Sequence, residues 1–136
     1  MSRPGERAAA APLVHHELCF GCGRTNLFGL LLEVRETTAG VLSGRCFIKQ
    51  DHQGGERGDA HAGIVGTALV EAMALACGLA ARPESFEVTL HAPAPVGTFL
   101  ELEARIERRD GPVSYASAQA TADQRMVARA RGSFRS

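Results

Sequence analysis

The run from His61 to Ala81, HAGIVGTALVEAMALACGLAA, constrains this chain more than any other stretch. After its opening histidine it is almost wholly apolar or small, with one carboxylate, Glu71, in the middle. A helix that is apolar on every side has to be buried on every side. The segments around it alternate apolar and polar residues, so the natural burial is inside a curved antiparallel sheet. A bilayer is the other apolar home, and the length would serve. The run is mostly Ala and Gly, however, and a mid-membrane carboxylate costs a few kcal/mol, so no membrane span is expected.

The strands read in order. Leu30–Thr37 places Leu30, Leu32 and Val34 on one face and Glu33 and Arg35 on the other. Thr38-Ala39-Gly40 turns the chain into Val41–Ile48, with Leu42, Cys46 and Ile48 inward. Residues 49–60, KQDHQGGERGDA, are a polar glycine-rich loop. Asp59 and His61 are candidate helix caps, and the helix should end by Arg82, because Pro83 disfavours helical dihedrals before it. Ser85–His91 follows with Phe86, Val88 and Leu90 inward, then a connection marked by Pro93, Pro95 and Gly97. Phe99–Arg108 alternates cleanly between Leu100, Leu102, Ala104, Ile106 and Glu101, Glu103, Arg105, Glu107. Val113–Ala122 has an inward face of Ala116, Ala118 and Ala120, small enough for a helix to lie close. Met126–Phe134 closes the chain with Met126, Ala128, Ala130 and Phe134 inward and Arg129 and Arg131 outward. The order β-β-α-β-β-β-β is an α+β architecture, a curved antiparallel sheet wrapped around one long helix. Its exposed sheet edges invite pairing across a dimer.

The chain's 136 residues suit one domain with a core of its own. Residues 1–14 lack an apolar signal-peptide core and read as a flexible tail before a single domain at 15–136. Fifteen basic residues balance fifteen acidic ones, and Trp is absent, so neither the charge footprint nor the stacking platform of a nucleic-acid binder is present. Four cysteines without a secretory signal point to reduced thiols and a cytoplasmic location.

Four motifs carry a resemblance to a known family. Cys19-Phe20-Gly21-Cys22-Gly23, with Asn26 and Gly29-Leu30, resembles CFGCGxxNPxGL. His52-Gln53-Gly54 resembles an HQG before the helix, and His61-Ala62-Gly63-Ile64 resembles HGGI at the helix start. Pro93-Ala94-Pro95-Val96-Gly97 resembles the RPxPxG connection after the third strand. In this order they resemble the hotdog fold, in particular its phenylacetyl-CoA-type acyl-CoA thioesterases. The resemblance implies thioester hydrolysis of a small or medium acyl group, a homodimer or homotetramer, and no metal or redox cofactor. It also implies substrate-binding places for Asn26, His52 and Gln53.

Two departures open other readings. Those thioesterases carry a catalytic Asp nine residues after the motif histidine, where this chain has Val70, with Glu71 next to it. One residue is about 100° around a helix, so Glu71 points elsewhere. A non-catalytic acyl-CoA-binding protein is therefore a second reading. Gly66–Ala74, GTALVEAMA, is also similar to the helix of hydroxyacyl-thioester dehydratases, whose carboxylate would fall on Glu71, but their histidine would fall on Arg57.

Glu71 is the first candidate for general base or nucleophile, with an Arg-paired buried Glu as the plain alternative. His61 can hydrogen-bond substrate or simply cap the helix. Gly63 and Ile64 lie in the first turn, where free amides and the helix dipole could polarise a thioester carbonyl. Cys19 and Cys22, with His15 or His16 near, have zinc-like spacing. A complete site needs four ligands, no second CxxC exists, and the resemblance accounts for these cysteines without metal, so none is expected. Cys46 and Cys77 read as small core residues. The outward Arg105, Arg108, Arg129 and Arg131 read as a solvated strand face, with a CoA phosphate as the alternative.

Overall fold

A computed structural model describes residues 11–136. The strands are β1 (Glu33–Thr38), β2 (Val41–Phe47), β3 (Arg82–Leu90), β4 (Phe99–Asp110), β5 (Val113–Ala122) and β6 (Arg125–Arg135), and one helix, α1 (Ala62–Cys77), lies between β2 and β3. They form one six-stranded sheet in the order β1-β2-β4-β5-β6-β3, antiparallel throughout. The helix packs on β4, β5 and β6, so the expected wrap around one helix is the architecture found.

The alternation in the sequence explains which faces meet. Val34, Leu42, Cys46, Leu100, Leu102 and Ala104 are buried toward the helix. Ala116, Ala118 and Ala120 are buried too, and their small side chains let α1 lie close to the middle of the sheet. Phe134 is the one phenylalanine of six in the core; Phe20, Phe28, Phe47, Phe86 and Phe99 are all exposed. Of the expected tail, residues 1–10 lie outside the described residues; Leu13 donates to the Val34 carbonyl at 2.9 Å and, with Val14, packs on the core.

The helix ends at Cys77, inside the limit expected at Arg82, because Gly78 adopts φ 125° and its amide turns back to the Ala74 and Leu75 carbonyls. Two expectations need correcting. The chain then enters β3 at Arg82, earlier than Ser85, and Pro83 is tolerated there because β3 is an edge strand. Second, Phe86 and Leu90 are 54% and 53% exposed. They share a strand face with Val88, which reaches the helix at Gly66, but among the described residues no element covers the β3 edge. The neighbouring flank of α1 is open as well: Gly63 is exposed, and Ile64, Thr67 and Val70 are only half-buried. The helix is 16 residues long, and among the described residues no helix is long and apolar enough to cross a membrane.

Candidate functional site

The sequence-predicted residues fall into two places. The first is the start of α1. His61 is the N-cap, and its Nδ1 accepts the Gly63 amide at 2.8 Å. The Ile64 amide donates to the His61 carbonyl at 2.9 Å. Both amides assigned to a substrate carbonyl are thus engaged within the cap. The same bond puts the proton of a neutral His61 ring on Nε2, leaving an exposed N–H donor at the tip of the helix.

His52 and Gln53 brace this tip from behind. The His52 carbonyl accepts the His61 amide at 2.7 Å, and its Nδ1 accepts the Lys49 amide at 2.9 Å. Gln53 spans its own loop, donating to the Gln50 carbonyl at 2.8 Å and accepting the Gly58 amide at 2.6 Å. Both shape the loop that carries His61. The buried His52 Nε2 meets no hydrogen-bond partner among the described residues. Burial first, and the Lys49 ammonium second, push the His52 pKa below its ordinary value, with Asp51 opposing. The unfolded chain therefore takes up a proton near the ordinary histidine pKa that the folded chain resists. Stability conferred by neutral His52 is fully present above that pKa and is lost as pH falls through it. His52→Asn, which keeps an acceptor for Lys49, should flatten the fall in Tm between about pH 7 and 5. An identical slope in the two proteins would refute this.

The second place is the middle of α1, ten residues or about 15 Å along the helix from His61. Here Glu71 meets the loop that precedes β1. Its Oε2 lies 2.8 Å from His15 Nδ1 and accepts from Cys19 Sγ at 3.2 Å. Cys22 Sγ lies 3.5 Å from the same His15 nitrogen and accepts the His15 backbone amide at 3.2 Å. The Glu71 and His15 side chains are 14% and 18% exposed. Gly21 lies against the carboxylate, where a Cβ would sit 2.4 Å from Glu71 Cγ. Burial, reinforced by the adjoining Glu71 carboxylate, pushes the Cys22 thiol up and keeps it protonated. Asn26 organises this loop, donating to the Leu18 carbonyl at 3.0 Å and accepting the Phe28 amide. Lys49 fastens the loop's far end through the Leu27 and Gly29 carbonyls.

Other side chains fall as expected. Cys46 and Cys77 are buried in the core, and burial pushes the Cys46 thiol up to about 12. Arg105 and Arg131 pair with Glu103 and Glu87 on the outer sheet face, and Arg108 stacks on Tyr115. A shallow depression of about 450 Å³ on that face, lined by Ser85, Glu87, Tyr115 and Arg131, touches neither His61 nor Glu71.

No protein-family model and no curated protein matches the sequence. Solved structures do match. The PaaI protein from the phenylacetic acid degradation operon of E. coli superposes with a TM-score of 0.72 at 20% identity, over 79% of this chain and 84% of that one. A thioesterase superfamily protein, RHA08564, superposes with a TM-score of 0.80 at 18% identity, over 88% of this chain and 61% of that one. Zebrafish thioesterase superfamily member 2 gives 0.69 at 15% identity, over 76% and 80%. These superpositions match one helix packed on a curved antiparallel sheet, and the chain therefore has the hotdog fold.

Proposed function

We propose that the chain is an acyl-thioester hydrolase acting on acyl-CoA-type substrates as a homodimer, in a reducing, cytoplasmic setting. The observation that carries this reading is the open flank of α1. A polar tip, with the His61 Nε2–H and the positive end of the helix dipole, adjoins an apolar strip of Ile64, Val70, Val88 and Phe86. An acyl carbonyl would sit at the tip and its chain along the strip. A second copy packed on the β3 edge would close the cleft. Glu71 is the carboxylate that would activate water. It stands about 15 Å along the helix from His61, under the loop before β1, so hydrolysis through it requires that loop to open to water and substrate.

A second reading, acyl-thioester binding without turnover, is favoured by one observation. The Glu71 carboxylate is already engaged by His15 and Cys19, and the residue beside it on the open flank is Val70. An acyl-CoA panel followed by free-thiol release separates the two. Hydrolysis predicts turnover that falls about 100-fold or more in Glu71→Gln. Binding without thiol release at any chain length, together with turnover gained in Val70→Asp, would establish the second reading. Unchanged enoyl-CoA absorbance would dispose of a dehydratase.

A further inference from the structure

We propose that His15, Cys19, Cys22 and Glu71 form a four-ligand site for one zinc ion, which fastens the loop before β1 to the middle of α1. This goes beyond the acyl-thioester reading and stands apart from it: a Glu71 that ligates zinc cannot also activate water, so the site fits acyl-thioester binding without turnover rather than hydrolysis through Glu71. The fourth ligand that the sequence lacked is supplied by the helix.

The argument is geometric. One ligand atom from each residue lies within 4.8 Å of every other. In a tetrahedron with ordinary zinc distances to N, S and O, ligand atoms stand about 3.3–3.8 Å apart. The separations here include 3.7 Å from His15 Nδ1 to Cys19 Sγ, 3.5 Å to Cys22 Sγ, and 3.2 Å from Cys19 Sγ to Glu71 Oε2. The 3.2 Å from Cys19 Sγ and the 2.8 Å from His15 Nδ1 to Glu71 Oε2 are both shorter, and an ion among them would open the tighter one by about half an ångström. His15 rather than His16 is the ligand; His16 is exposed and caps the Leu18 amide. Outer support is in place too, since the His15 backbone amide already donates to Cys22 Sγ as it would to a thiolate.

The donor set selects the metal. Two sulfurs with an imidazole and a carboxylate in a tetrahedral array suit zinc, and four protein ligands leave no open position, so the role is structural. Binding displaces one proton from each thiol into solvent. The product is a Zn²⁺ held by two thiolates, one carboxylate and a neutral imidazole, with a net charge of −1 and no change of oxidation state. The thiols give up their protons because the thiolate, not the thiol, is the ligand.

Cobalt titration of the full-length chain, stripped with chelator under reducing conditions, tests the site. The expected result is one Co²⁺ per chain with thiolate-to-cobalt charge-transfer and strong tetrahedral d–d bands, displaced by one equivalent of Zn²⁺. His16→Ala should keep these bands, while Cys19→Ser and Glu71→Gln should lose their intensity. Glu71→Gln preserves side-chain shape, and Cys19 is only half-buried, so neither substitution need unfold the chain. Substoichiometric cobalt, a Cys19–Cys22 disulfide that forms in preference to metal binding, or full-strength bands in Glu71→Gln would each overturn the site. Thioester activity is not the readout. A chain that takes up cobalt yet hydrolyses nothing supports the site while overturning hydrolysis, and the converse result does the opposite.

Discussion

Phe134→Ala should lower unfolding free energy by about 3–5 kcal/mol and drop Tm by about 10 °C or more. Phe134 is fully buried and is the largest side chain in the core. Its strand partner on β5 is Ser114, and the next residue on its own face is Gly132, where an added Cβ would lie 3.2 Å from the ring. On the other side its partner, on β3, is Pro83. Such neighbours carry no long side chain that could swing into the vacated volume, so a cavity would persist rather than collapse. That loss is a large share of the roughly 5–15 kcal/mol typical of a domain. Phe134→Leu should cost less than half as much. Urea melts of the three proteins check both values; a cost below about 1 kcal/mol for Phe134→Ala would show that the wall closes after all.

The second large effect is expected at Gly21. An added Cβ would fall 2.4 Å from Glu71 Cγ, 2.5 Å from Cδ and 2.9 Å from Oε1. A free glutamate would swing aside, but this one is pinned through Oε2 by His15 and Cys19. Gly21→Ala must therefore either expel the carboxylate or lift the loop. Lifting the loop also strains the bonds from the Leu30 and Leu32 amides to the Phe20 and Gly21 carbonyls. We expect a loss of about 1–3 kcal/mol in thermal or urea unfolding, together with loss of cobalt uptake. Gly55→Ala is the matched control, since a Cβ there meets nothing within 4 Å, and should be close to silent. Full metal binding in Gly21→Ala would contradict the packing described.

Period-two alternation made the strands legible from the sequence, and β5 was read to the residue. Pro83 sets only an outer limit on the helix; the stop itself is Gly78, with φ 125°, five residues earlier. The orientation of Phe86 and Leu90 was read correctly but their burial was not. Alternation reports which way a side chain points, not whether anything lies beyond it, and β3 turned out to be an edge. Glu71 stood out at once as a lone carboxylate, and Cys19-x-x-Cys22 as a ligand-like pair. That they meet could not be read locally, because 52 residues separate Cys19 from Glu71. The available clue was Gly21, a residue without a side chain between two ligands, which marks a close approach by something from elsewhere in the chain.

The uncovered flank of α1 runs without interruption into the β3 edge, and this has a thermodynamic consequence. Whatever second copy seats there shares a boundary with any acyl chain lying along Ile64, Val70 and Val88. Assembly and ligand uptake would then be linked by mass action. Saturating ligand should tighten self-association, and diluting the protein should weaken its apparent affinity for that ligand. Occupancy would track protein abundance as well as ligand supply.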